Sequence, residues 1–254
     1  MPKKDVSIGL GLLSIGRRWG VHDGDPPPRR EAIALLRHAV DRGVRLFDTA
    51  PAYGTSEAIL GDFLRDLGAQ SDGLIVATKM GEHWIEATAS ARADHTYDAL
   101  RTSIDTSLKR LGRIDLMQVH KATRENMLTD DVCAAIAYAK KRGITTFGVS
   151  VSDVGSALMA CETPAYSHIQ IPFSRANQSM APVFQAARRF SKKLLINRPY
   201  AMGALLDRHC DDNRPALRAA LQFVHDQQFE GFILTGTRSA DHFEETLRAF
   251  ESLQ

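Results

Sequence analysis

The stretch Gly43-Val-Arg-Leu-Phe-Asp-Thr-Ala-Pro-Ala-Tyr-Gly54 holds a short apolar run that ends in an acid and leads into a loop bearing a phenol. Gly43 stands where a preceding helix would stop, and Arg45–Phe47 reads as a short strand with both faces covered. The same unit recurs. Runs rich in Val, Ile, Leu or Phe occur at Ile8–Leu13, Leu74–Thr78, Asp115–Val119, Thr145–Val149, Ile169–Phe173, Leu194–Asn197 and Gly231–Leu234. Between them apolar residues fall at helical spacing, as in Tyr97, Leu100, Ile104, Leu108 and Leu111, in Ile33, Leu36 and Val40, and in Phe243, Leu247 and Phe250. Gly112 and Gly143 repeat the stop signal of Gly43, and Pro28 and Pro215 sit where a first helical turn would begin.

Strands that alternate with helices form parallel sheets. Eight such units in 254 residues predict a single α/β domain, a (β/α)8 TIM barrel over residues 1–254. A doubly wound sheet is the competing fold. Its glycine fingerprint is incomplete here, since Gly9-Leu-Gly11 is followed by Ser14 in place of a third glycine.

Composition narrows the function classes. The 32 Lys and Arg against 30 Asp and Glu leave a net charge of +2, which argues against a broad nucleic-acid or membrane surface and leaves room for one basic pocket. Cys133, Cys161 and Cys210 are scattered, without a CxxC pair or a Cys/His cluster, so no metal site is expected and a reducing compartment is. Lys3 and Lys4 precede an apolar stretch that superficially resembles a leader. Gly9 and Gly11 break it, and Arg17, Arg18 and Trp19 follow at once, so a strand and turn of a cytoplasmic protein is the expectation. A monomer or weak oligomer is expected.

Barrels of this kind build chemistry at the C-terminal ends of their strands. The predicted strands end in, or carry near their ends, Asp48, Lys79, His120, Ser150, Gln170, Asn197 with Arg198, and Gly236-Thr-Arg-Ser239, and Tyr53 follows Asp48 in the next loop. Each alone has an ordinary structural reading. Together an acid, a phenol, an amine and an imidazole on one rim suit carbonyl reduction. The tyrosine would donate a proton to the nascent alkoxide, with its pKa lowered by the lysine cation. Asp48 would hold Lys79, and His120 would polarise the substrate oxygen. No side chain carries hydride, so a cofactor is required. After the last strand, Gly236, Thr237, Arg238 and Ser239 form a glycine turn and helix start suited to phosphate, with Ser239 as the cap.

At this point the chain resembles the aldo-keto reductase superfamily over nearly its whole length. The segment from Gly43 to Gly54 with Ser56-Glu57 is similar to that family's signature, and Lys79 and His120 complete its four catalytic positions with Asp48 and Tyr53. The resemblance implies an extended NADP(H) across the barrel mouth. Ser150 and Gln170 would hold the carboxamide, Gly236 to Ser239 with Glu245 the adenosine end, and Arg198 and His242 further parts of the cofactor. Val151, Asn197 and His242 depart from the family's usual residues. The implied activity is reduction of small aldehydes or ketones, or the reverse oxidation, in a pocket that Trp19 and Trp84 help line. The chain stops soon after its last helix, so an open pocket without a long C-terminal loop is expected. Two other readings remain at this stage: a barrel that binds NADPH as a sensor without turnover, and a barrel isomerase or aldolase using Lys79 as a Schiff-base amine.

Overall fold

The structure is a computed structural model, which describes residues 6–20, 24–206 and 213–253. Lys3, Lys4 and Cys210 lie outside the described residues. In chain order the elements are β1 (Val6–Gly11), α1 (Leu13–Gly16), α2 (Arg29–Asp41), β2 (Leu46–Asp48), α3 (Ser56–Leu67), β3 (Ile75–Met80), β4 (Glu82–Ile85), β5 (Ser90–Ala93) and α4 (Tyr97–Leu111). They continue with β6 (Leu116–Val119), α5 (Asp130–Lys141), β7 (Phe147–Ser150), α6 (Val154–Glu162), β8 (His168–Pro172), α7 (Ala181–Arg189), β9 (Lys193–Asn197), α8 (Arg214–His225), β10 (Gly231–Thr235) and α9 (Ala240–Glu251).

β1, β2, β3, β6, β7, β8, β9 and β10 close into a parallel barrel, with β1 pairing β10 on one side and β2 on the other. That closure excludes the doubly wound sheet. All eight predicted strands form, with ends displaced by at most two residues. The segment from Gly81 to His95, which lies outside the predicted strands, contains the antiparallel hairpin of β4 and β5. In α2 the buried face is Ala32, Leu35, Leu36 and Ala39, while Ile33 and Val40 flank it partly buried. Among the described residues, no helix is long and apolar enough to cross a membrane.

Alternation along each strand sorts the barrel into layers. Leu46, Ala77, Leu116, Leu195 and Leu234 form a buried cluster separate from the main core. The adjoining residues of opposite parity, such as Phe47, Val76, Met117 and Ile196, join the larger core beneath the helices. Two positions beyond the inner cluster the same inward face changes character, to Asp48, Lys79, Gln118 and Asn197. The polar floor of the site is thus the next inward layer after a hydrophobic plug.

The signature residues Ser56 and Glu57 serve this scaffold. The Ser56 hydroxyl meets that of Thr49 at 2.6 Å. Glu57 is fully buried at the start of α3 and accepts hydrogen bonds from Thr78 (2.7 Å), Ser107 (2.6 Å) and Arg110 (3.0 Å). It therefore ties α3 to both β3 and α4, one residue before Lys79. Glu57→Ala would leave two buried hydroxyls without their acceptor. We expect it to lower unfolding free energy by about 2–4 kcal/mol, measured by urea denaturation of the two proteins; a loss within the error of that method would show the network to be dispensable.

Candidate active site

At the centre of the polar layer lies Asp48, 3% exposed. Its Oδ2 accepts hydrogen bonds from Lys79 Nζ (2.7 Å) and Gln170 Nε2 (3.1 Å), and its Oδ1 accepts one from Gln118 Nε2 (2.9 Å). Lys79 is fully buried and also donates to the carbonyl oxygen of Thr49 at 2.9 Å. Burial alone would neutralise such a lysine. Asp48 and the neighbouring Tyr53 outweigh it and raise the ammonium above its ordinary pKa, so it stays charged.

Tyr53 lies over this pair, with the Lys79 ammonium 4.7 Å from its ring centre. Two glycines place it. A Cβ on Gly16 would stand 1.9 Å from the Tyr53 carbonyl oxygen, and one on Gly54, whose φ is +60°, would stand 2.3 Å from the Gly16 carbonyl oxygen. The loops after β1 and β2 therefore meet backbone to backbone. The phenol departs from the sequence expectation. Burial raises its pKa, and Lys79 offsets this only in part, so the net shift is upward. The hydroxyl stays protonated at neutral pH.

His120 follows β6, with its ring edge-on to Tyr53 at 5.8 Å between centres. Its carbonyl oxygen accepts a 2.7 Å hydrogen bond from His95 Nε2, at the far end of the hairpin. Glu82, the first residue of that hairpin, brings a carboxylate oxygen to 3.0 Å from His120 Nδ1, off the line of an N–H bond. Lys121 approaches the same carboxylate at 3.8 Å. Burial lowers the His120 pKa and Glu82 opposes it, with burial prevailing; the imidazole is neutral at pH 7. The Glu82 carboxyl is held below the usual range, since His120, Lys121 and Arg17 together overcome its desolvation.

Glu82, Gln118 and Arg17 were not singled out in the sequence. Gln118 had a signal, because it precedes His120 by two in an apolar strand and so shares its inward face. Glu82 had none, since its position depends on a hairpin that crosses the barrel mouth. Trp19 and Trp84 do come together at Arg17, whose guanidinium carbon is 5.6 and 5.0 Å from the two ring centres.

The remaining predicted residues line the other side. Ser150 pairs in register with Gln170, whose amide is committed to Asp48. Val151 is buried in the main core. Arg198 is exposed, with φ at +57°, and lies 5.8 Å from the Trp19 ring centre. Gly236 is exposed, and the Thr237 carbonyl oxygen accepts a hydrogen bond from Ser14 at 2.9 Å. Ser239 caps α9 as expected, accepting from the His242 N–H, while the side chains of His242 and Glu245 face solvent. Arg238 does not stand free beside that helix start. Its guanidinium donates to the carbonyl oxygens of Trp19 and Gly24, and its Nε is buried without a partner. Gln118 Oε1, Asn197 Oδ1 and Thr235 Oγ1 are also buried without partners, at the same end of the barrel. These orphaned acceptors, with the capped helix and Arg238, match the donors of a carboxamide and the charge of a phosphate.

A sequence profile of the Aldo/keto reductase family matches residues 7–217. The aldo-keto reductase YhdN of Bacillus subtilis (strain 168) is 38% identical over 118 residues, which cover 44% of this chain and 33% of that protein. L-galactose dehydrogenase of Arabidopsis thaliana is 30% identical over 150 residues, covering 57% of this chain and 44% of that one. The matches thus span less than half of either relative's length. The crystal structure of PA4992 from Pseudomonas aeruginosa is 28% identical with a TM-score of 0.79, and the superposition covers 100% of this chain and 95% of that one.

The Glu82 contact makes a signed prediction. Its negative charge favours the imidazolium form of His120, against burial. Glu82→Gln removes the charge and should lower the His120 pKa further. NMR titration of the ring protons, wild type against variant, measures this; an upward shift, or none, would show that the contact is not made in solution.

Proposed function

Because the chain belongs to the Aldo/keto reductase family, we propose that it reduces aldehyde or ketone carbonyls to alcohols with NADP(H), and catalyses the reverse oxidation. The observation that carries this reading is the buried Asp48–Lys79 pair set beneath Tyr53, with His120 at the edge of the same ring. When bound, a nicotinamide cofactor would supply the hydride that the side chains cannot.

The side chains do the rest. His120 hydrogen-bonds the carbonyl oxygen and draws charge onto it. Tyr53 gives its hydroxyl proton to that oxygen as the alkoxide forms. The phenolate left behind is stabilised by the ammonium of Lys79, which Asp48 keeps charged and fixed. An upward-shifted phenol suits the reductive direction, because the donor form persists through neutral pH. Oxidation of an alcohol needs the phenolate instead, and should therefore rise with pH where reduction falls.

Ser150, Gln170, Asn197 and Thr235 would hold the carboxamide. Gly236, Thr237, Arg238 and Ser239 would hold the adenosine phosphate, with Arg198, His242 and Glu245 around them. Trp19 and Trp84 would flank the carbonyl substrate. The proposal places the protein in the cytoplasm and requires neither nucleic acid nor membrane.

The decisive measurement is NADPH consumption with small aldehydes, wild type against Tyr53→Phe. The variant keeps the ring and loses the proton, so turnover should fall about 10²–10⁴-fold while NADPH binding survives. Near wild-type turnover would remove Tyr53 from the role. Arg238→Ala should weaken NADPH about ten- to a hundred-fold and NADH little, since two charge-assisted bonds to the 2′-phosphate are worth roughly 1.5–3 kcal/mol. Equal losses for both nucleotides, read by cofactor titration, would make Arg238 an anchor for the Trp19–Gly24 loop alone.

A further inference from the structure

One cation at the barrel mouth has no part in the proton transfer above. Arg17 directly follows α1, and its guanidinium is flanked by Trp19 and Trp84, the chain's 2 tryptophans. Its Nε is buried without a hydrogen-bond partner, and among the described residues the side chain forms no ion pair. Glu82 feels the Arg17 charge yet spends its own carboxylate on His120 and Lys121. Arg17 is also placed against the catalytic loop, since its Cβ lies 3.3 Å from where a Cβ on Gly54 would be, next to Tyr53.

Two indoles within cation–π range restrain the planar guanidinium. That would satisfy its faces. It does nothing for its N–H groups, which lie in the ring plane and require acceptors there. A buried donor left open is unfavourable unless something that binds completes it. Around the same mouth, Lys121 and Arg198 add positive charge, against the carboxylates of Glu82 and of Glu86, which accepts from the Trp84 indole at 2.7 Å. With Arg17 the mouth thus presents three cations against two carboxylates, in a protein whose net charge is only +2.

We propose that Arg17 reads an anionic group on the substrate, so that the preferred carbonyl compound carries a carboxylate or phosphate a few atoms from the reducible carbon. The proposal rests on the carbonyl-reductase reading for the identity of the ligand, and on the Arg17 geometry for its charge. A fork of guanidinium N–H groups can meet either anion with two parallel bonds. The indoles set the plane of that fork, and the distance between the fork and the Tyr53 hydroxyl would select chain length.

The test pairs substrates that differ only in charge: 4-oxobutanoate with its methyl ester, and glyceraldehyde 3-phosphate with glyceraldehyde. The wild type should favour at least one anion by about tenfold or more in kcat/KM, and whichever pair shows it separates carboxylate from phosphate. Arg17→Met keeps the aliphatic stem and should cut that advantage about ten- to a hundred-fold, leaving the neutral partner within about threefold. Arg17→Lys, which retains the charge but not the fork, should fall between. A second readout does not depend on turnover. Both tryptophans flank Arg17, so intrinsic fluorescence should change saturably on titration with the favoured anion in the wild type and not in Arg17→Met. Turnover of both members of each pair without preference would overturn the anion site and leave the reductase reading standing. Arg17-dependent fluorescence changes without turnover of any carbonyl would do the reverse. Equal loss of charged and neutral substrates in both variants would reduce Arg17 to a structural clamp. Weakened NADPH binding in Arg17→Met with the charge preference intact would assign it to the nucleotide, and either result refutes the proposal.

Discussion

The ion pair between Asp48 and Lys79, buried inside the barrel, constrains everything built above it. Taking two charges out of water is costly, and their attraction compensates only when the geometry is close and the remaining lone pairs and protons are met. Here they are met by Gln118, Gln170 and the Thr49 carbonyl. Those partners come from β6, β8 and the end of β2, so only a closed barrel can bring them to one point. Underneath, the plug formed by Leu46, Ala77, Leu116, Leu195 and Leu234 keeps the pair in a low-dielectric setting, where the ammonium acts strongly on the phenol beside it. The hydrophobic layer and the polar layer are consecutive turns of one alternation.

Much of this was legible in the chain. Asp48, Lys79 and His120 each end an apolar run, and the end of a barrel strand has a known direction, so three side chains from distant segments could be assigned to one rim. Ser239 could be recognised as a cap because capping is local. The rest required tertiary distance. Glu82 reaches His120 only because β4 and β5 fold back over the mouth, and neither strand is long or apolar enough to announce itself. Arg238 was read from its neighbours in sequence, yet its partners, Trp19 and Gly24, lie more than two hundred residues away. The Tyr53 pKa reversed sign for a related reason. A sequence shows which charges are near a phenol, whereas the depth at which it is buried depends on every loop around it.

The two halves of the mouth are held in different ways. On the side of Asp48 and Gln170 the contacts are short and run along the barrel wall, strand to strand. Over His120 they run through a small antiparallel sheet that is not part of the wall, fastened by His95 to a backbone oxygen and by Glu82 to a ring. Changes in that hairpin can therefore alter what faces the substrate without disturbing the pair beneath, in keeping with the general separation of scaffold and loops in such barrels.

The meeting of Gly16 and Gly54 also has a thermal meaning. Where two segments touch through side chains, their separation is averaged over rotamers, and warming broadens it. Here the two glycines bring no side chain of their own to the contact, and the Tyr53 carbonyl sits directly against the neighbouring main chain. The spacing is set by bond lengths and peptide planarity, quantities that barely respond to temperature. Tyr53 is thus carried on a mount with almost no rotameric entropy of its own, and its alignment with the charge below is fixed when the chain folds, before any ligand arrives.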